Sequence, residues 1–256
     1  FVLAGCVKEF MPDVTDFGKG ESKVSLVLDF KPMSVGLEHT KAAGDALNKD
    51  FTSLYVLLYD FDSKMLKTSW KIESYSLSDV GRTDIEAENG HSAESNTKQA
   101  KFTLDKTVAY GKYYMYAVAN IDNLLTDFSE NIQTVDGLKS LPLTWNSSEI
   151  EKNAQMMGCV TANGFSSSDE SIILNKKSTN LHAWLRRAAS KVTVAFDGSA
   201  LKEGVFIYLQ SVQIKDIPSQ CYLDRANNVG KDGYTLNVPN NGPDMDDGEI
   251  ITYHQG

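Results

Sequence analysis

The most specific chemistry in this chain is that of Cys6, which closes the run Leu3-Ala4-Gly5-Cys6. An apolar residue, two small residues and a cysteine form a lipobox, in which the thiol is acylated and the peptide bond before it is then cut. The apolar run Phe1–Leu3 is typical of the end of a signal segment. A chance occurrence is the alternative, which the terminal position of the motif disfavours. We therefore expect Cys6 to carry lipid and the chain after it to be exported and anchored to a membrane.

Other residue types that carry chemistry show no recognisable arrangement. No nucleophile elbow, phosphate-binding loop or dinucleotide fingerprint occurs in the sequence. Acidic residues crowd the segment from Asp244 to Glu249, but their spacing does not match a calcium loop. None of the 4 histidines stands at metal-ligand spacing from another histidine or from a cysteine. They are His39, His91, His182 and His254. We expect no enzyme activity, no metal and no cofactor.

The composition excludes further classes of protein. The net charge is −9 and the pI is near 5.0, without a cluster of basic residues, so a nucleic-acid partner is not expected. No run approaches the ~18–20 apolar residues of a membrane-spanning helix. The sequence has 3 cysteines, and with Cys6 assigned to lipidation the other two are Cys159 and Cys221. They could form a disulfide in an oxidising compartment or stay as two separate buried thiols.

Strict alternation over Lys23–Phe30 predicts the first β-strand. Ser25 and Asp29 point to the opposite face from its apolar side chains. Those apolar side chains are Val24, Leu26, Leu28 and Phe30. The long segment Lys31–Lys49, which follows Pro32 closely, is predicted to be a loop.

Further short runs of β-branched and aromatic residues predict a mainly β protein. Apolarity on both faces of Phe51–Phe61 predicts a central strand. The polar segment Ser76–Gln99 is predicted to be a surface loop, and Gly111-Lys112 a turn. Additional strands are predicted at Met65–Tyr75, Ala100–Leu104, Tyr113–Asn120, Ser171–Leu174, Leu181–Leu185, Lys191–Asp197 and Val205–Ile217.

Two segments have helical spacing. Apolar residues recur every three or four positions over Ile121–Leu141, as in a helix that covers a sheet. Ser148–Met157 is predicted to be a second short helix, with Ser148 and Glu151 at capping-box spacing. Many short strands and few helices predict an antiparallel β-sandwich architecture.

Several stretches, in this order, resemble the fimbrillin family of Bacteroidetes. After a lipobox, a tether and an alternating strand, Phe51–Asp60 resembles the family's I-x-x-L-x-V-x-V-Y-D strand. Tyr114–Asn120 resembles its Y-x-A-x-A-N strand, and Met156-Met157-Gly158 loosely resembles a Met-Gly segment. Leu185–Val194 resembles the L-x-R-x-x-A-K-V-x-V pattern. Each motif alone is unspecific, and the order and spacing over residues 3–220 carry the resemblance.

The resemblance implies two tandem transthyretin-like antiparallel β-sandwich domains with one or two short helices, the second domain being truncated. Residues 1–22 would be a signal-peptide remnant, lipobox and tether. Residues 23–187 would form the first domain, and residues 188–256 the incomplete start of the second.

The resemblance also implies assembly by β-strand donation, in which proteolysis releases the first strand and an extended segment of a neighbouring subunit fills the groove. Lys23–Phe30 would be that strand, with its four apolar side chains filling pockets. The following segment contains lysines but no arginine, so an arginine-specific protease would find no site there. Lys41 is the candidate cleavage site. The alternative is an ordinary edge strand that stays in place, as would suit an anchor or another minor subunit.

By this resemblance the chain would be a structural subunit of a fimbrium, acting in cell adhesion at the outer membrane. Its partners would be other fimbrial subunits in a homo- or hetero-polymer, the membrane through the lipid anchor, and a ligand on a host or bacterial surface. An alternative class is a surface glycan-binding lipoprotein, because exposed Trp70, Trp145 and Trp184 could stack on sugar rings. Tryptophans buried in the core are the simpler interpretation.

Overall fold

The computed structural model describes residues 17–31, 33–35, 44–47, 50–80, 97–143, 154–162, 170–188, 201–202, 204–205, 211–214, 218–224, 228–229 and 234–237. Strands β1 to β8 are Glu21–Phe30, Met33–Val35, Gly44–Leu47, Leu54–Asp60, Leu66–Lys71, Ser76–Val80, Thr97–Thr103 and Val108–Ala109. Strands β9 to β16 are Gly111–Ala119, Met156–Cys159, Ser171–Leu174, Ser178–Arg187, Ser211–Ile214, Pro218–Gln220, Asn228–Val229 and Tyr234–Asn237. Three short helical segments follow β9: α1 (Leu124–Asp127), a 3-10 helix (Asn131–Gln133) and α2 (Val135–Lys139).

Ten strands form one large sheet in the order β5-β4-β9-β10-β12-β1-β7-β6, with β11 paired to β9 and β8 paired to β1. Neighbouring strands are antiparallel except β1 and β12, which run parallel. The strands predicted over Lys23–Phe30 and Phe51–Phe61 are present as β1 and β4. Strand β4 lies between β5 and β9, which is the central position that its two apolar faces predict. The mainly β fold class is confirmed.

The large sheet curls, so that side chains from both of its ends meet in one core, as in a β-sandwich. Alternate residues of each strand face this core, because successive side chains of a strand point to opposite faces. Among its buried side chains are Leu26, Leu28, Phe30, Leu54, Leu58, Trp70, Tyr113, Met115, Leu181 and Leu185. At one end of the core the ring of Phe51 contacts those of Phe30 and Tyr75, with centroid separations of 4.5 and 5.6 Å.

A second core lies on the opposite face of β4 and β9, beneath the helical segments. Tyr59 on β4 is fully buried there, and its hydroxyl donates a hydrogen bond to the carbonyl of Ile132 at 2.9 Å. This bond holds the 3-10 helix against the sheet. The other buried side chains are Tyr55, Leu57, Tyr116, Val118, Ile121, Leu124, Ile132, Val135, Leu138, Leu141, Met157 and Leu223.

The predicted helix over Ile121–Leu141 covers the sheet as expected, but it is broken into three short segments. Asn123 adopts a left-handed conformation with φ of 56°, so α1 cannot begin before Leu124. Thr134 is extended, which separates the 3-10 helix from α2, and its hydroxyl caps α2 by accepting a hydrogen bond from the Gly137 amide. The apolar spacing identified the buried face and missed these interruptions.

Several predicted loops and turns are wrong. Part of the predicted surface loop Ser76–Gln99 is strand, because β6 and the start of β7 pair with each other there. Gly111 and Lys112 belong to β9 instead of forming a turn, and the chain reverses just before them, since β8 continues in the direction of β7 along β1 whereas β9 runs the opposite way. The predicted loop over Lys31–Lys49 contains the paired strands β2 and β3. The predicted helix Ser148–Met157 ends in strand β10, and residues 148–153 lie outside the described residues.

Beyond β12, short strands form separate pairs, β13 with β16 and β14 with β15. The segment from Cys221 to Asp224 lies against the helical layer, where three backbone hydrogen bonds join it to residues 139–143. Leu223 is buried in the second core. The predicted strand Lys191–Asp197 lies outside the described residues, and only Ser211–Ile214 of the predicted strand Val205–Ile217 is described as strand.

Candidate functional site

Strand β1 is the element to which sequence reasoning assigned function, and it lies inside the large sheet. Lys23–Phe30 pairs in parallel with Ser178–Leu185 of β12. On its other side, Ser25–Phe30 pairs antiparallel with Lys98–Thr103 of β7. The edge position in the alternative of an ordinary edge strand is therefore wrong, and the retention of β1 in that alternative stays a prediction. The four proposed pocket-filling side chains, Val24, Leu26, Leu28 and Phe30, have exposures of 0, 1, 0 and 0%.

The connectivity of β1 differs from that of its neighbours. Neither β7 nor β12 is adjacent to it in sequence, so β1 is not part of a hairpin. The next strands along the chain, β2 and β3, pair with each other in a separate sheet. Strand β1 is therefore continuous with the domain only through the residues after Phe30, and one break in the chain there would leave it attached by non-covalent contacts alone.

Both ends of β1 have additional contacts. At the start, Glu21 and Ser22 pair with β8, and the Thr107 hydroxyl donates a hydrogen bond to the Glu21 carboxylate. At the far end, Nη1 of Arg187 donates a hydrogen bond to the carbonyl of Lys31 at 2.6 Å. Burial lowers the pKa of Arg187 from its ordinary value.

The face of β1 opposite the core carries a buried carboxylate. The side chain of Asp29 is 1% exposed. Its Oδ1 accepts a hydrogen bond from Nε2 of Gln99 on β7 at 2.8 Å, and its Oδ2 lies 2.6 Å from Nε2 of His182 on β12. The carboxylate of Asp29 thus joins the two strands between which β1 lies.

The contact with Asp29 identifies the donor nitrogen of His182. A carboxylate oxygen only accepts, so Nε2 of His182 carries the shared hydrogen. Nδ1 of His182 is buried and has no hydrogen-bond partner among the described residues. The ring of Trp184 is edge-on to this imidazole, with the centroids 6.5 Å apart.

A second polar cluster lies at the edge of the helical layer. The carboxylate of Glu170 accepts hydrogen bonds from Nζ of Lys139 and from the Tyr116 hydroxyl, both at 2.8 Å. Asp224 lies 3.6 Å from the same lysine nitrogen. Burial alone would raise the pKa of Glu170, but the hydrogen bonds from Lys139 and Tyr116 outweigh it, so this pKa lies below its ordinary value. Burial raises the pKa of Asp224, and Lys139 offsets that only in part.

Cys159 lies beside this cluster. Its thiol is 3.5 Å from the Glu170 carbonyl, and the partly buried side chain packs against the second core. Burial, reinforced by the negative charge of Glu170, raises the pKa of the Cys159 thiol to about 12. Cys159 and Cys221 are both half-buried free thiols, so the disulfide alternative is not present in this structure.

The described residues contain only part of the predicted site. Cys6, Lys41 and Trp145 lie outside them. Trp70 and Trp184 are each 7% exposed, so neither offers a surface on which a sugar ring could stack. The exposed tryptophans that glycan binding requires are therefore not found at these two positions. In the described part of the chain, no three His, Cys, Asp or Glu side chains are grouped as metal ligands. No helix among those residues is long and apolar enough to cross a membrane.

Sequence reasoning missed the network formed by Asp29, Gln99 and His182. The available signal was Asp29 itself, a carboxylate between Leu28 and Phe30 in the most apolar part of β1. A charged residue at such a place is either exposed or paired. Its partners are 70 and 153 residues away in sequence, so only the fold identifies them.

The fold and the position of β1 define the class of protein, a β-sandwich whose N-terminal strand lies between two strands from later in the chain. No family model and no curated protein matches the sequence. Among solved structures, the chain is similar to a fimbrial assembly protein from Parabacteroides distasonis, at 13% identity and a TM-score of 0.46, covering 92% of this chain and 84% of that one. It is also similar to the C-terminally truncated tip fimbrial protein Mfa3 from Porphyromonas gingivalis, at 13% identity and a TM-score of 0.45. That match covers 91% of this chain and 65% of the Mfa3 chain.

Proposed function

We propose that this protein is a structural subunit of a fimbrium, exported as a lipoprotein through Cys6 and assembled with its neighbours by β-strand donation. The observation that supports the proposal is the position of β1, with a row of four buried apolar side chains and no hairpin partner. The order and spacing of the sequence motifs that resemble fimbrillins support it independently.

If β1 is released, another strand must take its place, because the domain loses much of its free energy of unfolding without one. Each large apolar side chain of β1 contributes roughly 1.5–3 kcal/mol when fully buried. Four such side chains together approach the whole stability of an ordinary domain, about 5–15 kcal/mol. An empty groove would also leave unpaired backbone groups along both β7 and β12. The groove therefore needs an occupant, and an extended segment of a neighbouring subunit supplies both the ladder hydrogen bonds and the apolar side chains.

The residues after β1 are where release would occur. Cleavage after Lys41 separates β1 and the lipid anchor from the rest of the chain, because both lie on the N-terminal side of that bond. The freed subunit then accepts a strand from its neighbour and leaves the membrane. A subunit that escapes cleavage keeps both β1 and Cys6 and stays attached.

The test is the N-terminal sequence and intact mass of the protein recovered from the surface of its native cells. We expect polymerised material to begin at Ala42 and a lipidated precursor to begin at acylated Cys6. Lys41→Ala should keep β1 in the mature chain and abolish polymers on gels run without boiling. Lys49→Ala, in the same segment, is the matched control and should polymerise normally.

Two outcomes would contradict the proposal. If polymers consist of chains that still contain Glu21–Phe30 in place, strand release is wrong. If no form of the protein that retains Cys6 carries an acyl group on it, the lipoprotein assignment is wrong and the route to the surface must be different.

A further inference from the structure

We propose that the groove of β1 selects its occupant by charge as well as by apolar pattern. An incoming strand must present a carboxylate where Asp29 lies now, one position before the last pocket-filling residue. The inference rests on the proposed function, since it concerns the strand that replaces β1. The occupant it specifies is a β1-type strand of another subunit, with apolar residues at alternate positions and this one acidic residue on the opposite face.

The two groups that recognise the carboxylate stay behind when β1 leaves. Gln99 belongs to β7 and His182 belongs to β12, and each donates from Nε2 to a different oxygen of Asp29, at 2.8 and 2.6 Å. These donors line the two walls of the groove. Asp29 is 1% exposed, so solvent has almost no access to this place when the strand is seated.

An occupant without an acceptor at this position leaves two donors unsatisfied. A buried donor that loses its partner costs the free energy of its desolvation, more than a single net hydrogen bond contributes. An alanine there should lower the affinity of the strand by about ten- to one-hundredfold. An asparagine keeps one acceptor oxygen but turns an amide N–H₂ toward one of the two donors, so its affinity should fall between those of aspartate and alanine.

The carboxylate also fixes the register, which the apolar residues alone do not. A slip of one residue would turn the apolar face away from the core. A slip of two residues keeps the apolar face inward along most of the strand, with Ser22 in the place of Val24 or Pro32 in the place of Phe30. It would place Val27 or Lys31 opposite Gln99 and His182, however, and neither side chain accepts a hydrogen bond. Asp29 therefore distinguishes the correct register from the nearest alternatives.

The sequence contains this pattern a second time. Lys191–Asp197 (KVTVAFD) aligns without gaps with Lys23–Asp29 (KVSLVLD), with lysine, valine and aspartate identical at the first, second and seventh positions. The hydroxyl residue and the apolar residues are replaced by similar ones. The acidic residue thus recurs at the same distance from the first apolar residue, but Gly198 stands where Phe30 would align, so this segment shares three of the four apolar positions and the carboxylate.

The experiment uses the full chain with a specific protease site inserted between residues 36 and 43. After cleavage, the β1 piece is exchanged in mild urea for fluorescent peptides of Glu21–Phe30, and their affinities are measured by anisotropy after return to buffer. We expect the native peptide to bind and the Asp29→Ala peptide to bind about ten- to one-hundredfold more weakly. The Ser25→Ala peptide is the matched control. Its hydroxyl is on the same face and contacts Thr103 at 2.8 Å, but the contact is exposed, so its loss should have little effect.

Exchanging the hydrogen-bond donor and acceptor between positions 99 and 29 tests whether the affinity is lost through the specific hydrogen bonds or through poorer packing. In the Gln99→Glu protein, the amide of an Asp29→Asn peptide can donate to the carboxylate that this substitution introduces, while its oxygen still accepts from His182. That pair should therefore recover most of the lost affinity. The native peptide should bind Gln99→Glu more weakly, because two carboxylates then face each other. Circular dichroism of Gln99→Glu confirms that the variant is folded.

The outcomes distinguish this inference from the proposed function. Equal affinities of the native, Asp29→Asn and Asp29→Ala peptides overturn the inference and leave strand donation intact. Failure of every peptide to enter a groove that β1 has vacated overturns strand donation itself. If β1 does not leave after cleavage, the same substitutions at positions 29 and 99 are made singly and together in the uncleaved chain, and the stability of each variant is measured by urea unfolding. There the midpoint should fall in Asp29→Asn and recover in Asp29→Asn/Gln99→Glu, and independent effects of the two substitutions would overturn the inference.

Discussion

At the scale of single residues, the thiol of Cys159 has an environment that suppresses its reactivity. Burial and the negative charge of Glu170 raise its pKa to about 12, so the thiolate is a very small fraction near neutral pH. The thiolate is the form that reacts with alkylating agents. Cys159 is therefore a structural residue of the second core.

We predict that iodoacetamide modifies Cys159 in the folded protein at pH 8 on the order of a thousandfold more slowly than an ordinary thiol, which has a pKa near 8.5. The rate should continue to rise steeply with pH beyond 9, where an ordinary thiol is already mostly ionised and its rate levels off, because a raised pKa moves ionisation to higher pH. Peptide mapping by mass spectrometry distinguishes Cys159 from Cys6 and Cys221. The same reaction in 6 M guanidinium is the control for intrinsic reactivity. A plateau near pH 9 in the folded protein would contradict the prediction.

Single residues also show what the sequence could predict of the site. The apolar alternation of β1 predicted which four side chains are buried, because a period of two is enough to separate the faces of a strand. It did not predict that Asp29 on the other face is buried too. That depends on Gln99 and His182, whose approach is decided by the pairing of strands far apart in sequence.

At the scale of elements, the contact between β10 and β12 connects the two halves of the large sheet. Gly158 in β10 lies so close to β12 that an added Cβ would be 2.3 Å from the carbonyl oxygen of Trp184. That atom is backbone, and it cannot move away without displacing β12. A glycine is required here by the close approach of two strands.

We predict that Gly158→Ala destabilises the protein by about 1–3 kcal/mol or more, because overpacking at a rigid contact forces backbone shifts. The measurement is urea unfolding, read from the midpoint at constant m-value. Ile173→Ala on β11 is the control, since Ile173 is 45% exposed and its truncation should have a small effect. If Gly158→Ala has the same midpoint as the native chain, the approach of β10 to β12 is looser than the structure describes.

The helical layer shows why element boundaries were harder to predict than element faces. The three- and four-residue spacing over Ile121–Leu141 correctly identified the face that covers β4 and β9. The breaks depend on the left-handed conformation of Asn123 and the extended conformation of Thr134, which apolar spacing does not report. Similarly, β6 is polar and largely exposed, and its pairing with β7 makes it a strand where composition indicated a loop.

At the scale of the whole molecule, the segment from Cys221 to Asp224 attaches the later part of the chain to the N-terminal sandwich. The amide of Leu143 donates to the carbonyl of Cys221, and the amides of Leu223 and Asp224 donate to the carbonyls of Leu141 and Lys139. The side chain of Leu223 is 6% exposed and packs in the second core. No pattern in the sequence indicated this attachment, since the segment is short and lies in a polar region.

We predict that Leu223→Ala detaches this segment while leaving β1 and its neighbours in place. Truncating a buried leucine costs about 2–5 kcal/mol, which offsets most or all of what three backbone hydrogen bonds contribute at about 0.5–1.5 kcal/mol each. Hydrogen exchange should therefore become faster at the amides of Leu143, Leu223 and Asp224 and stay unchanged in β1 and β12. Asp224→Asn is the comparison: its ion pair with Lys139 spans 3.6 Å and Asp224 is half exposed, so its effect should be much smaller. Faster exchange throughout β1 and β12 in Leu223→Ala would instead mean that the two parts unfold as one unit, and that the second core stabilises the groove directly.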